Sequence, residues 1–353
     1  MVDHAWEVWW SRHKYHILWL LGATLIILIT VRLIWHPGQR TVRALGIIGF
    51  YENNAAQTHS GSLWALSAHI QKLTTVSPQW FSINGNGSVT DTGYDPPAAN
   101  LILKHHVALV PLFINTGGNS QVVLNPLARI HAVDTLVHMV QQYHLNGVDI
   151  DFELLKPAAR NGLSLFIKQL ARKFRPLHKT IAVCVFPLVG VPSSVNAVYD
   201  YRNLAGNANY LVMMTYDHHY SGGIPGPVAP FSWVKDNITA ALRQVRAHQI
   251  VLAIGMYGYD WVDNGKPGPA VTVPDAAVAN LLHRYGVRAQ YNAFDSQNQF
   301  TYIRSGVKHI VYYMGMRSAE ARLQLARRYH LAGISLWRLG FEEPGFWSVV
   351  PGK

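Results

Sequence analysis

The chain has 353 residues, 49% hydrophobic against 14% charged, with 11 Trp, 17 Tyr and 12 Phe; this excludes a disordered or low-complexity polymer. Its net charge of +11 and 18 histidines suit an anionic partner, but Lys and Arg are scattered and form no stripe interleaved with aromatics. A nucleic-acid-binding role is therefore not expected, and the one cysteine, Cys184, excludes an internal disulfide framework.

In chain order, residues 1–16 form a short N-terminal tail, followed by the uncharged run ILWLLGATLIILITV from Ile17 to Val31. Extended from Tyr15 to Trp35, the run is roughly 30 Å long as a helix, enough to cross a bilayer core. Trp9, Trp10, Tyr15 and Trp35 suit the interfacial belts, and no small-residue cleavage site follows. The expectation is an uncleaved signal anchor over 17–35 and a linker over 36–44. Flanking positive charges are nearly balanced, so they leave the orientation open.

From residue 45 onward, eight β-branched or aromatic runs recur: LGIIGFYEN from 45, QWFSING from 79, VALVPLFI from 107, GVDIDFE from 147, IAVCVFPL from 181, YLVMMTYD from 210, VLAIGMYGYD from 251 and GISLWRLG from 333. Helical stripes lie between them. Leu163, Phe166, Ile167, Leu170, Ala171 and Phe174 form one; Ile130, Val133, Leu136, Val137 and Val140 form another, opened by Asn125 and Pro126. Alternating strands and helices predict a parallel α/β fold, and eight units in about 300 residues predict a TIM (β/α)8 barrel. An open doubly wound sheet is the rival, but GFYENN carries no Gly-rich phosphate turn, and NGNG at 84–87 reads as a hairpin. Residues about 259–317 read as a small inserted α+β subdomain between strands seven and eight. Ser318 to His330 reads as the last helix, with Ser318 as its cap.

Strand four carries the chemistry. Asp149, Asp151 and Glu153 alternate with Val148, Ile150 and Phe152, so the acids share one face, directed into the barrel, while the apolar set meets the helices. Carboxylates so close in a poorly hydrated interior cannot all ionise; a shared proton and a raised pKa on at least one are expected. A protonated acid is what cleavage of a glycosidic bond needs. Pairing with a barrel cation explains one such acid but hardly three, and a D-x-D-x-E triplet can also hold a divalent cation. Adjacent His218 and His219 lack a spaced partner, which makes them weak metal ligands.

NGVDIDFE closely resembles the D-G-x-D-x-D-x-E signature of glycoside hydrolase family 18, the chitinase family. MTYD at 214–217, AIGMYGYDW at 253–261 and GISLW at 333–337 are similar to the family's sixth-, seventh- and eighth-strand motifs. The longer stretches MTYDHHYSGGIPGPVAPFSWV and GISLWRLGFEEPGFW resemble the branch containing bacterial spore and cortex peptidoglycan hydrolases and polysaccharide-synthase-associated barrels. The resemblance runs from about residue 45 to the end.

It implies Glu153 as general acid and later base, Asp151 orienting a substrate 2-acetamido group that acts as nucleophile, and Asp149 supporting Asp151. Tyr216 would hydrogen-bond the acetamido carbonyl; Met214 and Asp217 would line the pocket and Trp337 would form its floor. Tyr51 and Tyr257, at the ends of strands one and seven, are expected to line the cleft. The resemblance implies no cofactor and no metal, and a substrate containing β-1,4-linked N-acetylglucosamine, either peptidoglycan or an exported polysaccharide. The barrel is then expected outside the cytoplasmic membrane of a bacterium. Asn146 stands where the signature begins with Asp, which implies one charge fewer at the base of the site. That departure leaves open a carbohydrate-binding barrel with little turnover, and the acid triplet leaves open a metal-dependent hydrolase.

Overall fold

The computed structural model describes residues 45–53 and 61–350. The tail, the apolar segment and the linker assigned to residues 1–44 lie outside these. Among the described residues no helix is long and apolar enough to cross a membrane.

The barrel strands are β1 (Gly46–Tyr51), β2 (Thr75–Ile83), β3 (Leu112–Asn115), β4 (Gly147–Asp151), β5 (Thr180–Val185), β6 (Tyr210–Met214), β7 (Ile250–Gly255) and β8 (Gly333–Trp337). Each pairs in parallel with the next, and β1 pairs with both β2 and β8, so the sheet closes on itself. This is the predicted TIM barrel. Closure buries both faces of every strand. The outward set, with Val148, Ile150 and Phe152 from β4, packs under the helices, where Phe152 and Phe166 stack at 5.4 Å. A second, smaller cluster including Ile48, Phe50, Cys184, Val212 and Met214 fills the interior. Burying one such aromatic contributes on the order of 2–3 kcal/mol.

The stripe on Arg160–Phe174 is buried as its spacing predicts. On Pro126–Gln142 Asn125 caps through its side chain, accepting from the amides of Leu127 and Ala128. Ile130 departs from the expected stripe and faces solvent; Ala128, Ala132 and Met139 join Val133, Leu136 and Val140 on the buried side. NGNG makes the expected hairpin, joining β2 to the short strand Val89–Asp91. Gly147 is needed at the start of β4 because a Cβ there would stand 2.2 Å from the Thr180 carbonyl oxygen of β5.

The expected seventh strand is two. β7 ends at Gly255, and Tyr257–Val262 belongs to a separate five-stranded antiparallel sheet with Ala270–Pro274, Gln290–Asn292, Gln297–Arg304 and Val307–Tyr313. Helix Asp275–Tyr285 covers one face of that sheet, with Val278 packed among Val273, Phe300 and Val311. Asp260 is buried there between Tyr302 and the His309 ring, at 2.5 and 2.9 Å. At the break, the Met256 amide donates to the Trp337 carbonyl at 2.7 Å, tying the insert's first strand to β8. The last helix is Gly315–Arg328 and begins before Ser318, which is buried within it and is not its cap.

Candidate active site

The C-terminal ends of the strands frame a pocket of about 140 Å³ lined by Phe50, Asp151, Glu153, Cys184, Met214, Tyr216, Asp217, Tyr257 and Trp337. β4 sets the order of the acids by its alternation. Asp149 is 1% exposed and lies deepest, where Ser77 Oγ donates to Oδ2 at 3.2 Å and Cys184 Sγ approaches Oδ1 at 3.5 Å. Asp151 is one inward position higher and still buried; among the described residues no donor reaches its Oδ1. Glu153 lies just past the end of the strand, half-buried at the pocket mouth.

The electrostatics follow from depth. Burial pushes Asp149 up to about 7, with the Ser77 and Cys184 hydrogen bonds opposing the rise. Asp151 is held well above the usual carboxylate range by burial first, then by the charges of Glu153 and Asp149. Glu153 is raised by burial and by the Asp217 charge. Asp151 and Glu153 face the same side and act on each other's charge, so burial and their mutual repulsion disfavour ionising both. A like-charged buried pair behaves this way because the second ionisation is disfavoured more than the first. Cys184 is also driven up, by burial and the neighbouring acids, and so stays a thiol donor.

The rest of the wall comes from β6, β8 and the insert. Tyr216 follows β6, and a Cβ at Gly255 would stand 2.7 Å from the Tyr257 ring and 3.1 Å from the Tyr216 Cβ, so the glycine leaves room for both residues. Asp217 adopts a left-handed backbone (φ 57°) at the rim. Solvent reaches this residue, yet its Oδ1 accepts from Tyr257 at 2.5 Å and Tyr259 at 3.0 Å. Partial burial raises Asp217, and those two hydroxyls pull it back down. Trp337 closes the floor, edge-on to Phe50 at 5.3 Å. His218 tilts against Trp233 at 4.8 Å and His219 Nδ1 meets the Ile224 carbonyl at 2.9 Å. Among the described residues no three His, Cys, Asp or Glu side chains are arranged to hold a metal ion.

Two expectations change. Tyr51 does not line the cleft: it points outward, buried, and donates to Asp95 Oδ2 at 2.6 Å, while Phe50 takes the inward position. Asn146 is outside the barrel as well. It precedes β4 with outward parity, is exposed, and accepts from the Leu109 amide at 2.7 Å, so its missing charge does not touch the acids. Sequence reasoning also overlooked the supports of Glu153. Asn115, at the end of β3, accepts from the Glu153 amide at 2.8 Å and donates to its carbonyl at 2.9 Å. Tyr199 donates to the preceding carbonyl, that of Phe152, at 2.7 Å. The available signal was an Asn closing an apolar strand beside the acidic one.

A closed parallel barrel with acids in line beneath an aromatic-lined mouth defines the class: a barrel enzyme with its site at the C-terminal ends of the strands. Residues 46–342 match the family described as Glycosyl hydrolases family 18, and the chain belongs to it. It is 23% identical to the "Uncharacterized glycosylase YvbX" of Bacillus subtilis, over 94% of this chain and 98% of that one. It is 27% identical to the "Cortical fragment-lytic enzyme" of the same organism, over 79% and 67%. Among solved structures, a chitinase from Chromobacterium violaceum superposes with a TM-score of 0.81 at 29% identity, covering 87% of this chain and 98% of that one. The spore cortex-lytic enzyme SleL of Bacillus cereus shares the fold with a TM-score of 0.80 at 22% identity, over 87% and 73%.

Proposed function

We propose that this protein is a membrane-anchored glycoside hydrolase that cleaves β-1,4 linkages in glycans containing N-acetylglucosamine, with the substrate's own acetamido group as nucleophile. The observation that carries the reading is the Asp151–Glu153 pair, both raised above the usual carboxylate range and set together at the wall of a small pocket lined by aromatic rings. Glu153 gives its proton to the glycosidic oxygen as the bond from that oxygen to C1 breaks. The acetamido carbonyl oxygen closes onto C1 with inversion, Asp151 accepts from the acetamido N–H, and Tyr216 donates to the carbonyl. Glu153, now a carboxylate, takes a proton from a water whose oxygen opens the ring at C1. Two inversions leave the configuration retained. Asp149 supports Asp151 from below; Asp217, Met214, Tyr257 and Trp337 hold the sugar.

The relative named for cortical-fragment lysis favours peptidoglycan over an exported polysaccharide as the glycan. An anchor over residues 17–35 and a linker over 36–44 would leave the barrel from residue 45 on the outer side of a bacterial cytoplasmic membrane, where such glycans lie. Asn146, the feature that favoured a binding barrel with little turnover, lies away from the acids, which supports the hydrolase reading over that one. The test is product analysis by mass spectrometry on matched oligosaccharides with and without the 2-acetamido group. Cleavage confined to the N-acetylated substrates is expected; equal cleavage of the deacetylated ones overturns the mechanism.

A further inference from the structure

The end of the barrel away from the pocket has a charge character of its own. All eight barrel strands are parallel, so the turns leading from each helix into the next strand gather at this one end. They are linked edge to edge by backbone hydrogen bonds: Ala108 to Thr74, Asn146 to Leu109, Thr180 to Asn146, Asn209 to Ile181, Ala332 to Ile250 and Gly46 to Ala332. The exposed cations Lys104, Arg175, Arg243, Arg246, Arg327 and Arg328 lie in these turns or in the last turns of the helices that feed them. No Asp or Glu lies in any of the turns. Asp134, on a helix flank, is paired with Lys173 at 3.2 Å, and Asp236 and Glu320 sit in the first halves of their helices, toward the pocket end.

The histidines repeat the pattern. His106, His144, His178 and His330 are exposed, each with φ between 51° and 54°, and each occupies the left-handed position where a helix hands over to a strand. Glycine takes that position without steric cost. Four polar rings stand there instead, all on one end of the molecule. Between the turn holding Arg175, His178 and Lys179 and the turn Gly206–Asn209 runs a groove of about 350 Å³ that contains no carboxylate.

We infer that this end is a docking face for the anionic phospholipid headgroups of the bilayer, holding the barrel down on the membrane with its pocket turned away. The inference rests on the anchoring proposed above. β1 starts at this end, so the chain that precedes it enters here. The nine residues from 36 to 44 span at most about 30 Å, which keeps the face at a high effective concentration over the lipid. A plane of phosphates attracts a face whose turns carry cations and no carboxylate, and within the roughly 8 Å Debye length at physiological salt the attraction is largely unscreened.

The full chain, reconstituted into vesicles, tests this. A dye on His248→Cys, at the basic end, and separately on Phe294→Cys, in the insert, would report energy transfer to headgroup-labelled lipid. In vesicles of phosphatidylcholine with 30% phosphatidylglycerol, transfer from position 248 is expected to exceed that from 294 severalfold. It should fall to the value seen in pure phosphatidylcholine when Arg175, Arg243, Arg246 and Arg328 are changed together to Gln, each neutralised cation costing about fivefold in partitioning. Hydrolysis of a soluble oligosaccharide by the quadruple variant reports that it is folded. Equal transfer from both positions, or no dependence on phosphatidylglycerol, overturns the face. So does binding of soluble teichoic acid with no response to lipid, which would assign the face to a wall polymer. The anchor fails separately: a chain that does not float with carbonate-washed vesicles of either composition is not inserted, whatever its basic end does.

Discussion

β1 and β4 are neighbours in kind but not in legibility. In β4 the inward and outward sets differ in chemistry, acid against apolar, and the alternation alone points Asp149 and Asp151 into the barrel, where they are found. In β1, GIIGFY is apolar on both sides because both sides are buried, and nothing in the letters says whether Phe50 or Tyr51 faces the pocket. A strand announces its direction only when its two faces have different work. The same parity governs Asn146, which lies one step out of phase with the acids.

Substitutions on the two strands sharpen the contrast. Glu153→Gln removes the proposed proton donor, and kcat is expected to fall about 10³-fold with the fold intact by circular dichroism; wild-type turnover would sink the assignment. Asn115→Ala releases the loop that aims Glu153 without touching the substrate. A kcat loss of roughly tenfold to a hundredfold at nearly constant KM is expected, whereas a purely structural role would move melting temperature alone.

Phe50→Ala should raise KM about tenfold by opening the pocket wall. Tyr51→Phe should leave kcat/KM within about twofold and cost on the order of 1 kcal/mol of stability through its lost bond to Asp95. If the two variants behaved in the opposite way, the parity of β1 would be reversed.

Asp149 gives a pH signature. Its folded pKa, about 7, lies above the unfolded value near 4, so the folded state binds the extra proton between them. This group therefore contributes a stability loss that grows as pH rises from about 4 to about 7 and then levels. Denaturant melts of Asp149→Asn should show its stability gaining on the natural chain over that window, and a flat difference would mean the carboxyl is ionised throughout. Asn146→Asp is expected to do least, leaving kcat within about twofold, because the side chain serves the Leu109 amide outside the barrel.

Much of the barrel was readable because its signals are local. Eight apolar runs, a helix stripe such as Leu163 to Phe174 and the Asn125–Pro126 start all follow from periodicity and capping within a few residues. The acids and MTYD were readable because polar groups in a buried strand stand out. What escaped depends on distance in sequence. Asn115 meets Glu153 across 38 residues, Tyr199 meets Phe152 across 47, and Tyr257 and Tyr259 reach Asp217 from beyond the break at Met256. Ser318 looked like a cap because the true start at Gly315 is set by Asp275, 40 residues earlier, whose carboxylate accepts from the Gly315 amide at 2.8 Å.

The bond from Met256 to Trp337 also bears on how such enzymes can diversify. The first strand of the insert is part of the pocket through Tyr257, with Tyr259 beside it holding Asp217, whereas the strands from Gln290 to Arg304 do not pair with it. Those distal strands are still tied to the barrel, since Gln297 Oε1 accepts from the Val228 amide and Arg322 donates to the Ser296 carbonyl, so an exchange would have to keep both bonds. A graft that cut at Gly255 would carry off a wall of the catalytic chamber along with the decoration.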